Sequence, residues 1–390
     1  MKVPRSRRAY EGARPPWRPR LAWLWVLAFP RQRHQQSATI LSDLDATERR
    51  VTELYAKAVE KLGSDKAPVR FGGLHALERL AQDNPAHRQT IVDVICAYLR
   101  MPFSPTTLVS KREPEVTDRQ KGPGVESGMG TDGIGSTWQQ ERELHLTAQR
   151  ILTEHLHDDR SKDKKSMPPG SRFWNNICLD LAGATLIDFS LANGVMADAN
   201  FHRAIFTGDA SFTRAAFTGA ARFSGATFRG DALFGGAVFG GAANFPEADF
   251  RGDALFGEAA FTRGAGFRRA AFGASVGFGK ATFGGDARFG KAAFTGSARF
   301  GEADFRDDAL FGGAVFGEAA SFDEATFTGD ARFGKATFSG DAWFDEATFS
   351  RGAEFGKADF RGDAWFGKAR SEEHTSDSSH KTVSRMPSSA

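Results

Sequence analysis

The most constraining feature of this chain is a run of phenylalanines whose spacing alternates between five and six residues without a break. It starts Phe201, Phe206, Phe212, Phe217, Phe223, Phe228 and continues to Phe355, Phe360 and Phe366, giving 31 Phe on a period of 11. Two residues before each Phe stands Ala, with Val276 the one exception. Upstream the spacing is a strict five through Leu181, Leu186, Leu191, Met196 and Phe201. A helix cannot keep such a series on one face, because five residues overshoot its turn. A coiled coil needs a period of seven. A solenoid accommodates it: each short segment makes one side of a coil, the chain turns, and the next segment repeats. If the Phe face the interior, each would stack on the Phe of the next coil at about the 4.8 Å strand separation, with Ala leaving room for the rings.

The repeating unit, seen in Ala199-Asn200-Phe201-His202-Arg203, Ala248-Asp249-Phe250-Arg251-Gly252 and Ala303-Asp304-Phe305-Arg306-Asp307, resembles the pentapeptide-repeat family. The resemblance covers residues 177–369, about half the chain. It implies a right-handed, four-sided parallel β-helix, mainly β, with the central Leu or Phe and the Ala at i−2 pointing inward. This chain departs from the plain pattern by one added residue in every second unit, so family geometry implies sides of 5, 6, 5 and 6 residues and 22 per coil. The added residue falls in segments such as Thr207-Gly208-Asp209-Ala210, where Gly is expected to take positive φ and Asp to bond nearby backbone. Asp recurs there at 209, 231, 253, 286, 308, 330, 341 and 363. Stacked carboxylates could hold Ca²⁺, but capping of turn backbone is the expected role, and no metal is assigned.

Outside the array the expected layout is a basic leader over 1–41, a helical region over 42–103, a linker over 104–136, a helix over 137–157, a second linker over 158–172, and the β-helix over 173–369. Ser42-x-x-Asp45 would cap the first helix, and Asn84-Pro85 would open the helix that ends near Arg100. The segment 57–83 resembles the helical region that precedes the array in some actinobacterial members of the family. Phe173 and Trp174 would close the N-terminal mouth of the coil. Residues 370–390, beginning Arg370-Ser371-Glu372-Glu373-His374-Thr375-Ser376, resemble translated sequencing-library adapter. They are expected to lie outside the fold, leaving an open end near Ala369.

Chemistry-bearing motifs are sparse. Gly128-Met129-Gly130-Thr131-Asp132-Gly133 matches G-x-G-x-x-G, but no strand precedes it and its flanks read as linker. His155 and His157 fall near a helix end and read as solvated surface rather than metal ligands. Cys96 and Cys178 read as fillers of apolar sites. No nucleophile, base and acid can be assembled, so no enzyme, catalytic residue or cofactor is expected. The ladder Phe201, Phe206, Phe212, Phe217, Phe223 and Phe228 is structural. The outward positions Leu233, Leu255, Trp343 and Trp365 form the candidate partner surface, because exposed apolar patches mark contact sites.

The expected function is therefore a non-enzymatic scaffold or protein-interaction module. The chain has 51 Lys+Arg against 48 Asp+Glu, a net +3, which argues against a dedicated nucleic-acid binder. Some members of the family mimic duplex DNA and bind type II topoisomerases. Here residues 173–369 carry 19 Lys+Arg against 24 Asp+Glu, a net −5 that is dilute for such mimicry. A membrane-surface adaptor is the other alternative: residues 1–33 hold nine Lys/Arg, one acidic residue and the apolar run Leu21–Phe29. A cytoplasmic location is expected, with that leader as the tether. End-to-end self-association through Phe355, Phe360 and Phe366 is expected if the last coil is uncapped.

Overall fold

A computed structural model describes residues 46–102, 132–158 and 172–371. The basic leader, Ser42 to Asp45, the G-x-G stretch through Thr131, most of both linkers and residues 372–390 lie outside the described residues. The array is a solenoid of four parallel sheets. Face 1 runs from Leu179–Asp180 and Ala199–Asn200 to Ala353–Glu354 in nine strands; face 2 runs from Thr185–Leu186 and Ile205–Phe206 to Asp359–Phe360, also in nine. Face 3 holds eight, Ala210–Ser211 to Ala364–Trp365, and face 4 nine, Val195–Met196 to Arg370–Ser371. Every strand is two residues long because each side is only five or six residues and the rest must turn the corner.

The register follows the sequence period. From the second coil onward each residue pairs with its equivalent four Phe further along, as in Phe206 on Phe228 and Phe239 on Phe261. In the first coil, where the spacing is a strict five, the offset is shorter: Leu179 pairs with Ala199 and Leu186 with Phe206. Rings in successive coils stack nearly parallel: Phe206 and Phe228 lie 4.5 Å apart at 3°, and Phe201 and Phe223 4.8 Å apart at 10°. Rings half a coil apart on faces 1 and 3 meet edge to face across the interior, as in Phe212 and Phe223 at 5.4 Å and 84°. Offset stacking and edge-to-face contact are the two arrangements the ring quadrupole favours, so one residue type satisfies both directions of the core. The ladder from Phe201 to Phe344 is at most 1% exposed, and Ala at i−2 is equally buried.

The corners correct one expectation. Positive φ falls not on the glycines of the added-residue segments but on the second residue after each face 1 and face 3 Phe. That position recurs twice per coil from Arg203 at 54° to Lys368 at 56°, and all but Gly225, Gly236 and Gly313 are charged residues. The glycines of the added-residue segments serve close approach instead. A Cβ on Gly252 would stand 2.6 Å from the carbonyl carbon of Gly230, one coil below. Gly252→Ala is therefore expected to destabilise by about 1–3 kcal/mol in urea unfolding. Gly257→Ala, whose nearest neighbour would be Gly279 O at 3.7 Å, should stay within about 1 kcal/mol of the parent. The aspartates at these corners cap backbone across coils: Asp209 Oδ1 accepts from Asp231 N at 2.9 Å and Asp341 Oδ1 from Asp363 N at 3.0 Å.

The end of the array also departs from expectation. Arg370–Ser371, placed in the adapter-like tail, forms a face 4 strand on Thr348–Phe349, and Arg370 N donates to Ala347 O at 3.0 Å. The solenoid thus extends past Ala369.

Before the array come four helices: α1 over residues 46–62, α2 Ala67–Asp83, α3 Arg88–Leu99 and α4 Asp132–Leu156. Helix α4 starts inside the stretch read as linker, and Asp132-Gly133 of the G-x-G match belong to it. Asn84 does not open α3 either. Its backbone N and its Nδ2 both donate to Leu80 O, at 3.0 and 2.9 Å, so it closes α2, and a 3₁₀ turn over Pro85–His87 leads into α3. Leu74, Leu77, Ile91, Ile95, Leu144, Ile151 and Leu152 meet at the centre, all at most 1% exposed. No helix among the described residues is long and apolar enough to cross a membrane.

Candidate functional site

An open coil exposes a row of unpaired N–H and C=O groups, so something must satisfy the first one. Two glutamines do so. Gln149 of α4 donates from Nε2 to Ile187 O at 2.8 Å and accepts from Ile187 N at 2.9 Å. Gln89 of α3 makes the same pair with Cys178, both at 2.9 Å. Each primary amide carries one donor and one acceptor side by side, like a backbone amide, and so takes the place of the missing coil. Arg100 Nη1 adds a bond to Asp180 O at 2.9 Å and an ion pair to its carboxylate. Phe173 and Trp174, expected to close the mouth, are both buried, and the helices share the work. The glutamines carry no motif, and only tertiary placement reveals them.

Trp174 stacks on His155 at 3.9 Å and 5°, and its Nε1 donates to Gln82 Oε1 at 3.1 Å. His155 is therefore not the solvated residue its position near a helix end suggests: it is 5% exposed. Its Nδ1 donates to Arg172 O at 2.7 Å, while Nε2 faces Glu78 Oε1 at 3.0 Å. His157, by contrast, stays exposed beside Ala192 O at 3.4 Å. Burial pushes the Glu78 carboxyl up, but hydrogen bonds and charge from His155 and His75 together outweigh it and hold it below the ordinary glutamate value. These groups line a polar pocket of about 570 Å³ with Arg79, Gln82 and Glu154. Among the described residues no hydroxyl or thiol lines it. Cys96 fills an apolar site, where burial pushes its thiol up to about 12, whereas Cys178 is exposed, contrary to expectation.

His145 of α4, 2% exposed beside the Tyr98 ring at 5.3 Å, has its pKa lowered by burial despite Glu141. As pH falls, the unfolded chain takes the proton before the folded one. The stability held by neutral His145 is thus complete above the ordinary histidine value near ~6.5 and is lost as pH falls from there to the lowered value. Thermal unfolding should move to lower temperature on acidification through that window, and His145→Phe should flatten the dependence.

On the array, Leu233, Leu255, Trp343 and Trp365 all fall in one outward column of face 3, separated by Gly277, Arg299 and Ser321. Leu255 is 43% exposed. The two indoles stack at 5.1 Å and 5°. Between the leucine couple and the indoles lies a notch of about 370 Å³ bounded by Arg299, Ser321 and Trp343, with Glu302 at its edge. The sequence pairs each apolar couple by its one-coil spacing; the notch was legible only as small residues in that same column. Among the described residues no group of three His, Cys, Asp or Glu is placed to hold a metal ion.

A family model described as pentapeptide repeats (9 copies) matches the chain in overlapping segments, 201–249, 212–260, 245–293, 289–337 and 333–376. No curated protein and no solved structure matches it. The last segment overlaps the adapter-like tail through Ser376, in keeping with the strand at Arg370–Ser371. Residues 201–376 match the pentapeptide-repeat family, and residues 179–371 form a β-solenoid of four parallel sheets preceded by an N-terminal helical region.

Proposed function

We propose that the chain is a non-enzymatic docking platform for a protein partner, with face 3 around Trp343 and Trp365 as its recognition surface. The observation that carries this reading is the filled interior. Phe and Ala occupy every inward position from Ala199 to Phe344 save Val276, so coils differ from one another only in their outward columns. Stacked indoles beside a notch and an arginine are the chemistry that hot spots favour: flat apolar area next to a charged donor. Mimicry of duplex DNA finds less support, because residues 173–369 carry 19 Lys+Arg against 24 Asp+Glu, far from the charge density of a phosphate backbone.

The test isolates a partner on the immobilised full chain and measures its affinity in purified form. Trp343→Ser with Trp365→Ser should raise Kd by about 30-fold or more, on the scale of two truncated hot-spot residues, with an unchanged unfolding midpoint. Equal affinity for parent and double variant would overturn the assignment of face 3.

A further inference from the structure

Charge on the array is sorted by face. Over the eight coils from Ala199, the strand and following turn of face 1 carry nine Lys/Arg against two Glu, a net +7. The strand and turn of face 2 carry three against eight, a net −5. Three of the nine cations on face 1 are committed to ion pairs: Arg269 with Glu247 at 3.4 Å, Arg288 with Asp286 at 2.7 Å and Arg332 with Asp330 at 2.7 Å. The other six, Arg203, Arg222, Arg268, Lys291, Lys335 and Lys357, are exposed and make no ion pair among the described residues. Lys291, Lys335 and Lys357 stand at the positive-φ turn position, with φ of 58°, 61° and 60°, so their stems leave the corner from the same backbone geometry. Beside them run Gly290, Gly312, Gly334 and Gly356, one per coil, with the Glu354 side chain lying over the last two.

We propose that face 1 docks on an anionic lipid bilayer surface. A side of the solenoid built from stacked two-residue strands runs about 40 Å at the strand rise, long enough to meet several headgroups at once. The free cations fall in pairs on adjacent coils, Arg203 with Arg222, Arg268 with Lys291 and Lys335 with Lys357, with one coil skipped between pairs. A polymer with a fixed phosphate repeat cannot adjust its spacing to that pattern. Headgroups that diffuse laterally can, because each finds its own cation. Face 1 adds no exposed indole or phenyl, so the attraction is electrostatic rather than insertive. The inference rests on reading the array as a docking platform, and it names lipid for a different face from the protein partner's.

The test is co-sedimentation of the full chain with vesicles of phosphatidylcholine, with and without phosphatidylserine. Binding should require phosphatidylserine and weaken as salt screens the charges. Each neutralised lysine should lower partitioning about fivefold, so Lys291→Gln, Lys335→Gln and Lys357→Gln together should lower it about 100-fold. The matching triple Lys→Arg variant should bind like the parent, which separates charge from any effect on folding. Lys280→Gln with Lys368→Gln, at the equivalent turns half a coil away on face 3, should leave partitioning within about twofold. Partitioning of the Gln triple equal to the parent would overturn the proposal, whatever the basic leader does. So would equal losses in the face 3 control, or tighter binding to a DNA duplex than to the vesicles. Failure here with the Trp343 interaction intact would leave the platform reading standing.

Discussion

Truncating Phe300 to Ala is expected to lower the unfolding free energy by about 3–5 kcal/mol, the usual cost of emptying a ring-sized site in a core that cannot collapse. Phe300 is fully buried and sits between Phe278 at 5.0 Å and Phe322 at 4.8 Å, with Phe289 and Phe311 edge-on at 5.4 Å each. These four ring contacts vanish at once, with two longer ones to Phe294 at 6.1 Å and Phe305 at 6.3 Å, and the coils above and below are held apart by their own ladders. Phe300→Leu should cost under about 1.5 kcal/mol, since it keeps most of the volume. The first coil supports this: Leu186 occupies the place of a Phe directly below Phe206. Urea unfolding with paired hydrogen-exchange readout checks both, and exchange should rise first in the coils flanking residue 300. A truncation costing less than about 1 kcal/mol would mean that the coils collapse onto the emptied site after all.

The second large effect is expected at the cap. Gln149→Leu removes the partners of both Ile187 N–H and Ile187 C=O, where Gln149 is only 4% exposed. Each buried backbone group left unpaired costs about 1–3 kcal/mol, so the pair should cost about 2–6 kcal/mol. Gln89→Leu breaks the same geometry at Cys178, but Cys178 is exposed and water can replace the amide. Its cost should stay near the net worth of ordinary hydrogen bonds, about 1–2 kcal/mol. Equal costs for the two variants would show that burial is not what makes Gln149 important. The amide of Ile187 is the local reporter: its exchange should accelerate in Gln149→Leu and stay slow in Gln89→Leu.

By itself the sequence determined the array. The 5/6 spacing of Phe with Ala at i−2 sets the period of 11 and calls for a solenoid, and the resemblance to the pentapeptide-repeat family adds the inward residues, the four sides, the 22-residue coil and with it the pairing of Phe206 with Phe228. Only the tertiary structure decided how the array begins, how its corners close and how its surface is sorted. Gln89 and Gln149 are ordinary polar residues of amphipathic helices until α3 and α4 reach the edge of the first coil. His155 looks solvated until Trp174 folds back onto it. The corner glycines look like positive-φ sites, yet the steric limit there is the backbone of the coil below, and the positive φ falls on Arg203, Lys291 and their equivalents instead. Contacts between coils are non-local, so residues that are neither periodic nor apolar give no sign of them in the linear order. The basic face is the same case: cations scattered along the chain become one surface only when equivalent positions of successive coils are brought into line.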